Sequence, residues 1–334
     1  MPLLVPRVGE EDVHAGQRAG RQHMVEHVDR VVRADADVGQ ALLADALEVA
    51  DLAHDQFDAR DHVLARLGHA LEALAAESLQ IAAGCTDLFP ATEHKHLQGS
   101  ILDITGIKSL RGISHTDDGI RIGATTTWTD PIKADLPPAC RGLQLAAHEV
   151  GALQIQNRGT IAGNLCNASP AADGVPPLLT LDAKVELQSK GGTRVVPLHD
   201  FITGPRKTVL AETELITALL IPKSSLTGHS HFLKLGARAY LVISIAMTSA
   251  RLVVRNGVVV EAALAIGSCG PVATRVPQVE AQMIGKAVDP VVITDYMVAS
   301  AIDPIADMRA NAAYRAISAA ELLRRAKALF LKGQ

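Results

Sequence analysis

The chain has 334 residues, enough for two or three domains at about 150 residues each. Apolar residues make up 48% of it and its net charge is −4, so we expect buried cores and no nucleic-acid or polyanionic partner. No apolar run reaches about 18 residues and no basic-then-apolar leader opens the chain, so we expect a cytoplasmic protein without a membrane span. Four scattered cysteines without Cys-x-x-Cys spacing argue against a metal site or cluster on this chain.

The N-terminal segment, residues 1–65, differs in composition from the rest. Residues 1–77 contain no Ser, Thr, Asn, Ile or Lys, yet they hold nine Asp, six Glu and six of the thirteen His. Two interpretations stay open. The segment is either an acidic extension, helical because its valines and leucines recur at helical spacing, or a spurious product of a mis-assigned start or a shifted reading frame.

Regular patterns begin near residue 66. "ALEALAAESLQIAAG" predicts a helix and then a short apolar strand over residues 79–83. "ILDITGI" predicts a second strand that ends in a glycine turn. "LRGISHTDDGIRIGA" predicts a β-hairpin with Asp118 and Gly119 at its tip, since Asp-Gly is a typical hairpin turn.

The next elements mix helices and strands. "TTTWTDPI" predicts a short helix with a proline in its first turn, and residues 138–150 predict a longer one. "AKVELQSKGGTRVVPL" predicts a hairpin that turns at Gly191 and Gly192, and "ELITALLIP" a buried strand. The pattern pauses at residues 224–230, where we place a domain boundary.

Beyond that boundary, "HFLKLG" predicts a strand and "SIAMTSARLVVRNGVVVEAALAIGS" a long hairpin that turns at Asn256 and Gly257. Helices are predicted near 276–286, 291–303 and 311–331. Because strands and helices do not alternate regularly, the pattern favours an α+β fold over a doubly wound sheet.

Two glycine-containing bends carry the functional signal: the first bend, residues 82–88 ("AAGCTDL"), and the second bend, residues 159–165 ("GTIAGNL"). Glycine lets a backbone approach a ligand, and successive N–H groups can surround an anion. Two such bends facing each other would hold a pyrophosphate; the alternative is a pair of ordinary tight turns. After them, Asp173 suits either a sugar hydroxyl or the N-cap of the next helix.

Four segments together resemble the FAD-binding (medium) subunit of the xanthine dehydrogenase family of molybdenum hydroxylases: "AAGCTDLFP", "GATTTWTDP", "QIQNRGTIAGNLCNASPAADGVPPLL" and "ADMRANAAYRAISAAELLRRA". The resemblance runs from about residue 70 to the C-terminus. It implies a two-subdomain FAD-binding domain of the vanillyl-alcohol-oxidase (PCMH) type over residues 66–226. A smaller α+β domain of the CO-dehydrogenase flavoprotein type would follow over residues 227–334.

The resemblance also implies the cofactor contacts. The first bend would wrap the FAD pyrophosphate and the second bend would close on it. Asp173 would bind the adenosine ribose or ribityl hydroxyls, and Val150, Ile216 and Lys234 would touch the cofactor. These positions are Ile81, Ala82, Ala83, Gly84, Cys85, Thr86, Asp87, Leu88, Val150, Thr160, Ile161, Ala162, Gly163, Asn164, Asp173, Ile216 and Lys234. From sequence alone, Lys234 is either the cation beside the flavin or a solvated strand end. No catalytic residue and no metal ligand is implied.

Three departures from the family pattern are visible. Cys85 stands where the family has a second glycine, which limits positive φ, and Ala162 replaces another glycine. The family also opens with a short strand and a proline, which we do not find in "DARDHVLARLGHALEALAAE". We therefore expect a weakened N-terminal subdomain if that strand is missing.

The resemblance implies one part of a larger enzyme. A molybdopterin-binding large subunit would oxidise the substrate, a 2Fe-2S small subunit would relay the electrons, and FAD would pass them to an acceptor such as NAD or oxygen. Two alternatives stay open: a stand-alone flavoprotein oxidase, and a non-redox assembly subunit with a degenerate FAD site.

Overall fold

The computed structural model describes residues 62–63, 66–93, 97–239, 241–289 and 291–332. The predicted extension therefore lies outside the described residues, except at its C-terminal end. The described chain is α+β, as predicted, and its buried side chains form separate cores in the N-terminal, central and C-terminal parts. None of the described helices has the length and apolarity needed to cross a membrane.

The N-terminal part is a small parallel sheet in the order β1-β3-β2, covered by helix α1. Its elements are β1 His62–Val63, α1 Leu67–Ala76, β2 Gln80–Ala82 and β3 Ile101–Asp103. The expectation that no strand lies in "DARDHVLARLGHALEALAAE" is wrong, because β1 falls inside it and pairs with β3. A strand of two residues is too short to show period-two alternation, so no sequence pattern marks it.

The central part is an antiparallel five-stranded sheet in the order β4-β5-β10-β6-β7. Its strands are β4 Ile113–Thr116, β5 Gly119–Gly123, β6 Lys184–Ser189, β7 Gly192–Pro197 and β10 Leu215–Pro222. The central strand β10 is buried along most of its length, as its apolar run predicts. Both hairpins are confirmed, but each turns one residue earlier than predicted, at residues 117–118 and 190–191.

Helix α2, Leu88–Ala91, lies between β2 and β3 of the N-terminal sheet. The short helices of the central part are α3 Thr129–Lys133, α4 Arg141–Glu149, α5 Leu153–Arg158, α6 Ile161–Asn167, α7 Val175–Thr180 and α8 Leu198–Phe201. A small hairpin follows, formed by β8 Ile202–Gly204 and β9 Lys207–Thr208. The apolar sides of α4, α6 and α7 pack into one core with β5, β6 and β10.

The C-terminal part is an antiparallel sheet in the order β11-β12-β13-β14, packed against three helices. The elements are β11 His229–Leu235, β12 Ala246–Arg255, β13 Val258–Gly267, β14 Thr274–Arg275, α9 Pro277–Met283, α10 Asp295–Ala299 and α11 Ala312–Lys332. The long hairpin is confirmed, whereas α9 and α10 are shorter than the helices predicted there.

The β12–β13 turn gives a test of the C-terminal fold. Asn256 and Gly257 have φ of +51° and +76°, the left-handed region that a two-residue hairpin turn of this type needs. We expect Gly257→Ala to cost about 1 kcal/mol of unfolding free energy, because alanine is strained at that φ. Denaturant unfolding measures this.

The matched control is Gly191→Ala in the β6–β7 turn. Gly191 is not in the left-handed region, and an added Cβ would meet only the Ser189 hydroxyl, at 3.5 Å. We expect no loss of stability from that change. Equal losses from the two substitutions would contradict the conformational explanation for Gly257.

Candidate functional site

The first and second bends touch each other, although about 75 residues of chain separate them. An ideal Cβ placed on Gly84 would lie 2.1 Å from the carbonyl oxygen of Arg158 and 2.9 Å from the Cα of Gly159. Only glycine fits this crossing without moving the backbone, because both neighbours are main-chain atoms. The two bends are therefore packed directly against each other, main chain to main chain, at Gly84.

A cavity of about 830 Å³ lies between the bends and the strands behind them. Most of the positions that the resemblance assigned to FAD line it: Ile81, Ala83, Gly84, Cys85, Thr86, Asp87, Leu88, Val150, Thr160, Ala162, Gly163, Asn164, Asp173, Ile216 and Lys234. Ala82 and Ile161 do not line the cavity; both are fully buried, Ala82 in strand β2 and Ile161 in the central core. Their side chains do not face the cavity, so a cofactor contact by Ala82 or Ile161 stays a prediction about the main chain.

The first bend presents main-chain donors to the cavity. Among the described residues, no protein acceptor pairs with the backbone N–H groups of residues 84–87. Unpaired N–H groups in consecutive residues of a bend form a concave site that favours an anion. Residues 84–86 are half-buried and Asp87 is exposed, so these N–H groups are open to a ligand in the cavity or to water.

The second bend is the first turn of helix α6, not a loop. Thr160 is the N-cap, and its hydroxyl accepts a hydrogen bond of 3.0 Å from the N–H of Gly163. The segment resembles a turn in sequence because its glycine and small residues hide the helical signal. The side-chain oxygen of Asn164, one residue further on, is buried and unpaired within the described part of the chain.

Cys85 occupies a strained backbone position in the first bend. Its φ is +55°, which the resemblance predicts for a glycine and which a side chain adopts at a cost of about 1–2 kcal/mol. Such strain is typical of functional loops. Burial raises the pKa of its thiol to about 11, so this thiol is protonated at neutral pH.

Asp173 forms a buried ion pair at the back of the cavity. Its two carboxylate oxygens accept hydrogen bonds of 2.6 Å from the Lys234 ammonium and 2.7 Å from the Ser244 hydroxyl. Lys234 also donates to the carbonyl oxygen of Glu149, at 3.1 Å. Two sequence alternatives are thereby wrong: Asp173 does not cap helix α7, and Lys234, 8% exposed, is not a solvated strand end.

The pKa of the Asp173 carboxyl in this ion pair depends on burial and on its two hydrogen-bond partners. Burial raises the pKa of the Asp173 carboxyl above its ordinary value, and the Lys234 ammonium and the Ser244 hydroxyl oppose that rise. Removing either partner would leave the carboxylate less compensated in a medium of low dielectric constant. Substitutions in this ion pair should therefore affect both the stability of the protein and the cavity.

Several residues of the cavity wall were not predicted from the sequence as site residues. Trp128, 1% exposed, fits between two glycines, since a Cβ on Gly174 would lie 2.4 Å from its ring and a Cβ on Gly159 3.4 Å. Trp128 could have been predicted as a site residue, because it is the chain's single tryptophan and lies in the segment "GATTTWTDP". Arg206, which lines the cavity, and Ser244, which contacts Asp173, offered no such signal, because the chain brings them to these places from distant positions.

The mouth of the cavity is apolar on one side. Residues 241–243, between β11 and β12, line it, and Leu241 and Ile243 are 54% and 61% exposed. Large apolar side chains at a cavity rim cover whatever occupies the cavity or contact another molecule. Among the described residues, no group of His, Cys, Asp or Glu is arranged to hold a metal ion.

Comparison with known proteins defines the class. The sequence model of the family described as "FAD binding domain in molybdopterin dehydrogenase" matches residues 62–224, and that of the "CO dehydrogenase flavoprotein C-terminal domain" matches residues 231–328. The carbon monoxide dehydrogenase of Hydrogenophaga pseudoflava has a chain of similar structure. Its TM-score is 0.73 at 25% identity, over 80% of this chain and 94% of that one. A fold of this kind with this cavity is that of a flavoprotein.

Relatives narrow the class further. The putative xanthine dehydrogenase FAD-binding subunit of Escherichia coli K12 is 36% identical over 229 residues, which is 66% of this chain and 77% of that protein. The nicotinate dehydrogenase FAD-subunit of Eubacterium barkeri is 38% identical over 170 residues, 49% of this chain and 57% of that protein. The chain belongs to the family of FAD-binding subunits of molybdenum hydroxylases, multi-subunit oxidoreductases, and its cofactor is FAD.

The residues present fit FAD on independent observations. The N–H groups of the first bend have no protein acceptor, the crossing at Gly84 leaves no room for a side chain, and the Asn164 oxygen is unpaired. An anionic diphosphate supplies acceptors for the N–H groups. A ligand of mixed polarity also suits a cavity with an apolar mouth and a buried carboxylate.

Proposed function

We propose that the two bends bind the FAD pyrophosphate through main-chain N–H groups. The observation that carries this proposal is the contact of the bends at Gly84, beside the unpaired N–H groups of residues 84–87. Thr86 and Asn164, both at the cavity, add side-chain donors. Main-chain donors hold a diphosphate without an ion pair to lysine or arginine, because successive N–H groups of a bend form a concave site for an anion.

We further propose that Asp173 accepts hydrogen bonds from ribose or ribityl hydroxyls of FAD. The carboxylate lines the cavity and is held on both oxygens, by Lys234 and by Ser244. A carboxylate oxygen has capacity for a second donor beyond the one it already has. The residue therefore serves as an oriented acceptor.

Lys234 has a double role in this proposal. An ammonium group has three N–H donors, and two are accounted for by the Asp173 carboxylate and the Glu149 carbonyl. The third donor is left for the cavity, which Lys234 lines. The lysine opposes the rise that burial causes in the pKa of Asp173, and it places one positive charge beside the cofactor.

FAD, when bound, supplies an electron store that accepts and returns one or two electrons. The part of this chain is to bind and orient it and, through residues 241–243, to limit the access of water. We propose that electrons arrive from a 2Fe-2S small subunit, fed by a molybdopterin-binding large subunit, and leave to NAD or oxygen. The names of the relatives support a place in such a complex, since they include medium subunits and medium chains.

A visible absorption spectrum of the purified chain tests the binding proposal. Flavin absorbance at one FAD per chain is expected, and a colourless chain that takes up no added FAD would favour the degenerate assembly subunit. Copurification tests the complex. Iron, molybdenum and two further chains should accompany this one from its native host, whereas a chain that oxidises a substrate alone would favour the stand-alone oxidase.

Asn164→Asp tests the second bend. The substitution places a carboxylate at the cavity wall without changing shape, so it should repel the pyrophosphate and weaken FAD binding by about tenfold, or ~1.4 kcal/mol. Flavin fluorescence during titration of the apoprotein measures the Kd. Added salt should reduce the effect.

The control for that substitution is Asn157→Asp, on helix α5. Asn157 lies outside the cavity wall, and its side-chain oxygen accepts a hydrogen bond from Thr129. Asn157→Asp adds the same negative charge as Asn164→Asp, in the same part of the fold. Equal affinities for the Asn164 variant and the unsubstituted protein would remove the second bend from the pyrophosphate site.

A further inference from the structure

Arg315 of helix α11 is a buried charge outside the cavity wall. Its side chain is fully buried, and Nη1 donates hydrogen bonds to the carbonyl oxygens of Ile245, at 2.5 Å, and Ser268, at 2.7 Å. Nη2 donates to Asp307 Oδ1, also at 2.7 Å. A buried guanidinium is tolerated only where carboxylates and carbonyls compensate it, so its position is fixed.

The first carbonyl leads directly to the cavity. Ile245 follows Ser244, whose hydroxyl donates to Asp173 Oδ1 at 2.7 Å. The N–H of Ile245 is itself bonded to the carbonyl of Leu235, next to Lys234, at 2.7 Å. Holding Ile245 therefore holds the neighbours of both groups that contact the Asp173 carboxylate.

The second carbonyl leads to the same carboxylate by another path. The N–H of Ser268 donates to the carbonyl of Pro170, at 3.0 Å, in the segment that ends at Asp173. Ser268 has a φ of +60°, which a side chain adopts only when its surroundings impose it. The hydrogen bond from Arg315 to its carbonyl is one such constraint.

We propose that Arg315 is a positioning residue of the FAD site: it fixes Ser244 and residues 170–173 at once, and so sets the orientation of the Asp173 carboxylate. The inference rests on the proposed placement of FAD against Asp173. Nη1 bonds both carbonyls while Nη2, in the same plane, bonds Asp307. A lysine keeps the charge but has one nitrogen on a different stem, so it cannot reproduce this two-nitrogen arrangement. Arg315 thus links the C-terminal helix to the cofactor.

The experiment compares Arg315→Lys with Arg251→Lys in the full chain. Arg251 is also buried, donates to the carbonyl of Thr180 at 2.8 Å and pairs with Glu261, but none of its partners contacts Asp173. We expect Arg315→Lys to raise the Kd for FAD about tenfold, because a hydrogen-bonded carboxylate is released, and Arg251→Lys to change it less than about twofold. Equal weakening by both would reduce Arg315 to a structural role.

A double-mutant cycle with Ser244→Ala separates positioning from general loosening. If Arg315 acts through Ile245 and Ser244, the variant that carries both substitutions should have a Kd for FAD only slightly higher than that of the single variant with the higher Kd. Strictly multiplicative losses would overturn that route. Should Arg315→Lys fail to fold, Asp307→Asn takes its place in the cycle, because it removes the charge that orients Nη2 while Asp307 itself lies near the surface.

The unsubstituted protein separates this inference from the proposed function. If it binds FAD and Arg315→Lys binds FAD equally well, only the positioning role fails. If Ser244→Ala and Asp173→Asn both bind FAD with the same Kd as the unsubstituted protein, the placement of FAD against Asp173 is wrong. The positioning role of Arg315 is then wrong as well.

Discussion

We expect Gly84→Ala to abolish FAD retention in the purified chain, with a rise in Kd of at least about a hundredfold, or ~3 kcal/mol. The added Cβ would lie 2.1 Å from the Arg158 carbonyl oxygen, so one bend must move away from the other. Main-chain donors cannot adjust independently, because all of them move with the backbone. The flavin-to-protein ratio after gel filtration, followed by titration with FAD, measures the loss.

The matched control is Gly68→Ala in helix α1, in the same part of the fold. An added Cβ at Gly68 would meet no atom within 4 Å, and alanine is the better helix former. This control should keep its flavin and unfold at an equal or higher temperature. A Gly84 variant that keeps full flavin content would show that the crossing of the bends is not the pyrophosphate site.

Local chemistry made much of the fold predictable from the sequence. Asn256 and Gly257 mark the β12–β13 turn because few residues adopt their φ, and the apolar run of β10 marks a buried strand. Strand β1 was missed because two residues carry no period, and helix α6 because its cap and small residues resemble a loop. The limits of the two domains, 66–226 and 227–334, stay predictions.

The candidate site was predictable only where a motif carried it. Both bends were found through their glycines, and the structure brings them together, whereas the roles assigned to their residues remain predictions. The pairing of Asp173 with Lys234 and Ser244 had no local signal, because 61 and 71 positions separate these residues in the chain. Contacts of that kind are set by sheet topology, which pattern and propensity do not specify.

Lys234→Met destabilises the protein by about 3–5 kcal/mol and weakens FAD binding, because it leaves the Asp173 carboxylate buried without its cation. Methionine fills similar space, so the loss comes from charge and not from a cavity. The double variant Lys234→Met/Asp173→Asn removes both charges and should recover most of the stability, yet it should not recover FAD affinity. Recovery of both would mean that the pair only supports the fold.

The pH dependence of that loss identifies the carboxylate. Burial already raises the pKa of Asp173, and removing Lys234 raises it further, so the folded variant takes up a proton more readily than the unfolded chain. The penalty is therefore complete above the raised pKa and disappears as the pH falls through it towards the ordinary value. Denaturant unfolding at about pH 8 and about pH 5 should show the deficit of Lys234→Met shrinking on acidification. A deficit that stays constant, or grows, would mean that the uncompensated charge is not on Asp173.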